Sequence, residues 1–276
     1  MSRQLRIEYP GAVYHVYARG NARQNIFLDN EDRLSFLAIL AGAEEDHNFV
    51  CHADCLMDNH YHLELETPDG NLSKCMKALN AGYAQAFNRR HGRVGKLFQG
   101  RYGAKLVQKE AYLLSLCRYI VLNPVRAGMV EDPAHYRWSS YRATAGLEEP
   151  HPARSVGWVL SQFSGDIIAA RLEYADFVRA EVDPKRPDEG MFVVGNREFA
   201  EQRIREAGSP EDWPESPRRQ KFTHRPPLTE ILHDANRDCG VAEAVLRYGY
   251  SQAEVAEVIN LKKSRVSQII CKARED

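Results

Sequence analysis

The chain has 276 residues, 43% hydrophobic and 27% charged, with a formal net charge of −1. That composition is globular and excludes a wholly disordered or fibrous chain. No apolar run is long enough to span a bilayer and MSRQLRIEYPG has no signal-peptide core, so a cytoplasmic protein is expected.

Residues 12–19, AVYHVYAR, alternate and are rich in β-formers, which predicts a strand. The polar loop GNARQN leads to DNEDRLSFLAILAGAEEDHN, a helix capped by Asp29 or Asn30. FVCHADCLMD reads as a second strand that turns at Asp58-Asn59 into a third, HYHLELET, which TPDG ends. NLSKCMKALNAGYAQAFNRRHG is a helix stopped by Gly92, GAKLVQ a strand, and KEAYLLSLCRYIVLN a helix ended by Pro124. This β-α-β-β-α-β order predicts an α+β fold: a ferredoxin-like (RRM-like) antiparallel sheet with helices on one face and the other face open.

Residues 147–226 carry weaker periodicity and read as a linker region with short helices near Gly165–Val182 and Asn196–Ala207. Helical patterning returns at Leu228. Ser251 and Glu254 form a capping box for a helix through Ile259, a turn covers 260–262, and Ser264 caps a last helix to Ala273. A helix-turn-helix and a plain trihelical module both fit that spacing. The last helix carries Lys263, Arg265, Ser267, Gln268 and Lys272, which favours DNA binding. The expected domains are therefore 1–146, the linker 147–226, and a helix-turn-helix domain over 227–276.

The six cysteines (51, 55, 75, 117, 239 and 271) follow no disulfide framework and are expected to be free thiols. The net charge hides an asymmetry. Residues 71–126 hold Lys74, Lys77, Arg89, Arg90, Arg93, Lys96, Arg101, Lys105, Lys109, Arg118 and Arg126 against Glu110 alone, a local balance of +10. Acidic residues gather instead near Glu181–Glu189 and Glu211–Glu215. Such a local field suits a polyanion.

In DNHYHLELE (58–66), strand alternation puts His60, His62, Glu64 and Glu66 on one face and Tyr61, Leu63 and Leu65 on the other. The histidine pair is open to four readings: ordinary buried or solvated side chains, a zinc site with Cys51 and Cys55 from the same strand face, a catalytic divalent metal, or a metal-free phosphate clamp. RYIVLNPVRAG (118–128) sets Tyr119 and Asn123 four apart on one helix face. Two imidazoles and the Asn123 carbonyl can hold a cation, with Tyr119 as nucleophile. Those are the parts of a phosphoryl-transfer site.

YPGAVYHVYARGNARQNIF (9–27), DNHYHLELE (58–66), RYIVLNPVRAG (118–128) and WSSYRATAG (138–146) together resemble the single-tyrosine HUH transposases, in their REP-associated branch. The resemblance covers about residues 1–146. It implies a metal-dependent endonuclease and strand transferase for single-stranded DNA at hairpin or repeat sequences, working through a 5′-phosphotyrosine. Tyr119 falls on the nucleophile, His60 and His62 on metal ligands, and Asn123 on a third ligand position that varies in the family. Mg²⁺ or Mn²⁺ is the implied cofactor, and the nitrogen donors favour Mn²⁺. Arg19, Arg23, Lys74, Lys77, Arg89, Arg90, Arg101 and Lys105 are then candidates for the DNA backbone, with Lys263, Arg265 and Gln268 for flanking duplex. Tyr83, Phe87, Phe98 and Tyr102 are candidates for base stacking, though burial in the core is the first expectation for each. A monomer or homodimer acting in the bacterial nucleoid is expected. The competing reading is a non-catalytic, sequence-specific DNA-binding protein.

Overall fold

A computed structural model of the chain describes residues 7–180, 193–206, 228–232, 237–246, 248, 250 and 252–273. Two compact units are present, one of Arg6–Gly195 and one holding residues 196–276. In the first, β1 (Ala12–Arg19), α1 (Asn30–His47), β2 (Val50–Met57), β3 (His60–Thr67), α2 (Leu72–Arg90), β4 (Gly103–Val107) and α3 (Lys109–Val121) follow the predicted order. Asp29 caps α1, its side chain accepting from Asp32 N. Gly92 stands past the end of α2 at φ +59°, a conformation that suits glycine.

The sheet order is β2-β3-β1-β4-β5, and β1 to β4 pair antiparallel throughout, the split β-α-β pattern. A fifth short strand, β5 (Val193–Val194), pairs parallel to β4, so the sheet is mixed rather than antiparallel. One face packs on α1 and α2. There the Tyr61 ring lies 4.9 Å from Phe36 and its hydroxyl bonds Asn80 at 2.6 Å. Tyr83, Phe87, Phe98 and Tyr102 are all buried, as expected for core aromatics.

The expectation of helices on one face and an open second face is corrected. Helix α3 lies over the histidine face. The short helices α4 (Asn123–Arg126), α5 (Tyr141–Thr144) and α6 (Gly157–Ser161) follow it, and then α7 (Ile167–Arg179), capped by Asp166. Val13, Ala53, Cys55 and Val107 of the sheet form one core with Leu113, Leu116 and Ile120 of α3, Val159 and Leu160 of α6, and Tyr174 and Val178 of α7. Apolar residues on α3, α6 and α7 supply the cover that strand alternation alone does not reveal.

For the same reason residues 147–180 are not a linker, and the unit does not end at Gly146. The outer edge of β2 is closed by backbone from both sides of Gly146: Leu56 N donates to Trp138 O at 2.8 Å, Ser140 N to Asp54 O at 3.0 Å and Ser155 N to Cys51 O at 2.9 Å. Arg154 then clasps Asp54 through Nε at 2.7 Å and Nη2 at 3.0 Å. Both side chains are almost fully buried, at 5% and 0% exposure. The acidic stretches 181–189 and 211–215 lie outside the described residues.

A bulge in β2 between Cys51 and Ala53 also corrects the shared face of the cysteines. Cys51 pairs with Leu65 and Cys55 with His62, so they stand on opposite faces. The described cysteines with placed side chains are free.

In the second unit, α8 (Arg197–Glu206) starts where Asn196 Oδ1 accepts from Phe199 N at 2.8 Å. Helices α9 (Leu228–Ile231), α10 (Arg237–Leu246), α11 (Gln252–Val258) and α12 (Lys263–Lys272) enclose Ile231, Val241, Val245, Val255, Val266, Ile269 and Ile270. Asn260 makes the turn before α12 in the left-handed region, with Leu261 N donating to Ala256 O at 3.0 Å. Helix α12 begins at Lys263, so Ser264 sits inside it rather than capping it, and the capping residue Ser251 is outside the described residues.

Two stability outcomes follow. Arg154→Met leaves the Asp54 carboxylate buried without its partner, and urea denaturation should show a loss of about 3–5 kcal/mol. A loss below about 1 kcal/mol would contradict the clasp. Glu44 accepts from Cys51 N at 2.8 Å, and burial pushes its carboxyl up to about 8, with the Asp54 charge adding to the effect. Because its folded pKa is raised, the stability it contributes is complete below the unfolded value of 4.5 and lost as pH rises through 8. Glu44→Gln should therefore gain melting temperature relative to the native chain between those pH values. A difference independent of pH would refute the assignment.

Candidate active site

The pairing register builds the site. Arg19 stands across from His60, Tyr17 from His62 and His15 from Glu64. On the other side of β1, Gly103 stands across from Tyr17 and Lys105 from His15. These residues share the face that α3 covers. His15 is wholly buried, with its Nε2 2.9 Å from Nδ1 of His62 and the two rings stacked at 5.1 Å. His60 meets His62 edge-on at 5.1 Å, and its Nδ1 donates to Asn59 Oδ1 at 2.6 Å.

Tyr119 descends from α3 onto this pair, its ring edge-on to His15 at 5.9 Å and to His62 at 6.1 Å. The Arg126 guanidinium lies over the Tyr119 ring at 4.9 Å, a cation–π contact that holds the phenol in place. Tyr17 fills the remaining side, 5.4 Å from His15 and 6.1 Å from His62. It rests on Gly103, where a Cβ would come within 2.4 Å of the tyrosine ring. Only glycine leaves room for that ring.

Asn123 opens α4 one turn after Tyr119. Its Nδ2 donates to the carbonyls of Tyr119 at 2.9 Å and Ile120 at 3.2 Å, which closes the end of α3. Its Oδ1 accepts no hydrogen bond among the described residues.

Electrostatically the pocket favours neutral groups. Burial, with Arg19 adding to it, lowers the His60 imidazole to about 4, so it is neutral at physiological pH. Glu64 is fully buried, neither carboxyl oxygen has a partner among the described residues, and burial pushes it well above the usual carboxylate range. Burial of this kind favours the neutral acid. Glu66, by contrast, is paired with His52 at 2.8 Å and Lys109 at 2.6 Å, which makes it part of the scaffold.

The donor set suits a divalent cation of mixed nitrogen and oxygen preference. With Asn59 offering only a carbonyl oxygen, His60 Nδ1 carries the hydrogen and Nε2 the lone pair. Among the described residues no cluster of three His, Cys, Asp or Glu side chains could cage a metal, so coordination would have to be completed by an amide, water or substrate oxygen.

The candidate cationic residues separate into groups. Arg19 and Arg23 are exposed at the His60 end, where Gly20 N donates to Asn59 O at 2.8 Å and Asn59 Nδ2 to Arg23 O at 3.2 Å. Arg89 and Arg101 are exposed, and Lys105 is half-buried across from His15. Arg90 is committed elsewhere, pairing with Asp29 at 2.7 Å and Asp32 at 2.6 Å at the start of α1. Lys74 and Lys77 are exposed on the first half of α2, whose start is tied to His47 by the 2.8 Å bond from Asn71. They lie in the layer behind the sheet and at the far end of β3 from His60. Lys263, Arg265 and Gln268 are exposed on α12.

His15, Tyr17 and Arg126 complete the site without having been singled out from sequence. The signal for the first two is the alternation His15, Tyr17, Arg19 along β1. It becomes informative only when the register with β3 is known.

Residues 9–123 match the family model described as IS200-like transposase. No curated protein matches the chain. Among solved structures, a REP-associated tyrosine transposase bound to a REP hairpin aligns at TM-score 0.47 and 17% identity, covering 60% of this chain and 93% of that one. A proposed transposase from Deinococcus radiodurans R1 aligns at TM-score 0.32 and 21% identity, covering 43% of this chain and 95% of that one. The matched segment contains the histidine pair, Tyr119 and Asn123, so it is over residues 9–123 that the chain is similar to the IS200-like transposases.

Proposed function

We propose that the protein is a metal-dependent single-stranded DNA endonuclease and strand transferase of the REP-associated kind, acting at hairpin or repeat sequences. One observation carries the reading: Tyr119, 57 positions from His62 in sequence, has its ring against that imidazole. His60 and His62, with Asn123 Oδ1, are the residues that would hold Mn²⁺ or Mg²⁺. Such a cation supplies Lewis-acid polarisation of the scissile phosphate.

The rest falls to the chain itself. The phenolic oxygen of Tyr119 forms a bond to phosphorus as the P–O3′ bond breaks. The phenol loses its proton and the departing 3′ oxygen gains one, leaving a 5′-phosphotyrosine and a free 3′-hydroxyl. A second 3′-hydroxyl reverses the step and joins strands, because the phosphotyrosine is a diester like the bond it replaced. Arg126 keeps the phenol oriented, and Arg19 and Arg23 are the nearest candidates to draw the DNA backbone to the His60 end. In the second unit, the exposed Lys263, Arg265 and Gln268 of α12 fit a helix-turn-helix contact to flanking duplex.

Tyr119 is only 4% exposed, and that burial also favours the competing reading of a DNA-binding protein that does not cut. The two separate on a denaturing gel with end-labelled hairpin DNA and Mn²⁺. The native chain should give a covalent protein–DNA band that Tyr119→Phe lacks and that His60→Ala reduces by about 100-fold or more. A native-gel shift equal in both chains with no covalent band would establish binding alone. Removing residues 227–276 should weaken binding to duplex-flanked substrate while a minimal hairpin is still cleaved. Loss of cleavage on a minimal hairpin that still binds would refute that division of labour.

A further inference from the structure

We infer that His15 is a positioning residue for His62: the Nδ1–H of His62 donates to Nε2 of His15, which leaves the lone pair of His62 on Nε2 for a cation. This rests on the reading above that His60 and His62 hold a metal. The 2.9 Å contact between two imidazole nitrogens needs one hydrogen, and a neutral imidazole has one N–H to give. If His15 were the donor, His62 would carry its own hydrogen on Nε2, and neither of its nitrogens could bind a metal. If His62 is the donor, its lone pair lies on Nε2.

His60 shows the same division, with Nδ1 donating to the Asn59 carbonyl oxygen at 2.6 Å. Both histidines then use Nδ1 for orientation and Nε2 for the cation. Metal-bound histidines usually donate their second N–H to such a partner.

The surroundings hold His15 to this role. It has no exposed surface, stacks on His62, and is flanked by Tyr17 at 5.4 Å and Tyr119 at 5.9 Å. A buried strand position that served packing alone would be filled at less cost by an apolar side chain. The same ring also forms part of the floor beneath Tyr119, so one residue aligns both the ligand and the nucleophile.

The test uses the full-length chain with ¹⁵N-labelled histidine. Metal-free spectra should show His62 as the Nδ1–H tautomer in the native protein and in His15→Gln, whose carbonyl oxygen accepts the same hydrogen. His15→Leu offers no acceptor and should release His62 to the Nε2–H tautomer. By electron paramagnetic resonance, His15→Leu should bind Mn²⁺ about tenfold more weakly or worse, and His15→Gln should recover most of the loss.

A native His62 found as the Nε2–H tautomer would overturn the inference, as would native-like Mn²⁺ affinity in His15→Leu. Ligand-type shifts of the His15 nitrogens on adding Zn²⁺ would also overturn it, by making His15 a metal ligand. If His15→Leu does not fold, the native and His15→Gln spectra still decide the hydrogen-bond direction. A native chain that binds no Mn²⁺ would instead sink the active-site reading, since the metal-free spectra do not depend on it.

Discussion

The antiparallel register of β1 against β3 is the constraint on which the site rests. With Tyr17 across from His62 and His15 across from Glu64, the first strand supplies the wall against which the histidine pair is packed. A slip of one residue would turn His15, Tyr17 and Arg19 to the α1–α2 side and bring Tyr14, Val16 and Ala18 round in their place. The turn at Asp58-Asn59 helps to hold the register from one end, because the Asp58 carbonyl accepts from Ile26 N at 2.9 Å and Phe27 N at 3.1 Å. Gly20 takes part in the same closure, since a Cβ there would meet the Gln24 carbonyl at 2.0 Å.

Covering the second face changes what the histidines are. On an open sheet they would titrate in water. Under α3 burial lowers His60 to about 4, and the pair is sorted by hydrogen bonds and closed in by two tyrosines. The buried carboxyl of Glu64 shows how dry this layer is, for an unpartnered carboxyl at this depth is costly and ionising it would cost far more. Interactions with a phosphate are stronger in such surroundings than in water. The segment beyond residue 146 therefore matters to the proposed site, because α6 and α7 complete the core on which α3 rests.

The positive charge of residues 71–126 is real but is not one continuous surface. Arg90 is neutralised by two aspartates, Lys109 by Glu66, and Arg118 lies on the Phe177 ring at 4.3 Å and bonds its carbonyl at 3.3 Å. These serve the fold. The exposed remainder divides between the His60 end of the sheet and the back of α2, so a backbone track through the proposed site would use only the first group. A count of charges along a chain cannot make that division, because it ignores which carboxylates the fold brings near.

The elements of the first unit up to α3 were legible in the sequence, and so were the residues of the proposed site that local geometry groups together. β1 and β3 fall on the predicted residues because alternation at period two and the Asp58-Asn59 turn are local properties, and the H-x-H face and the Tyr119–Asn123 spacing follow from strand and helix geometry alone. Tertiary structure decided what required partners distant in the chain. The Arg154–Asp54 clasp and the contact of His15 with His62 join residues 100 and 47 positions apart, and the closure of the second face likewise needs residues beyond 146. No periodicity within one segment encodes such a pairing, because each is set by the whole chain packing at once.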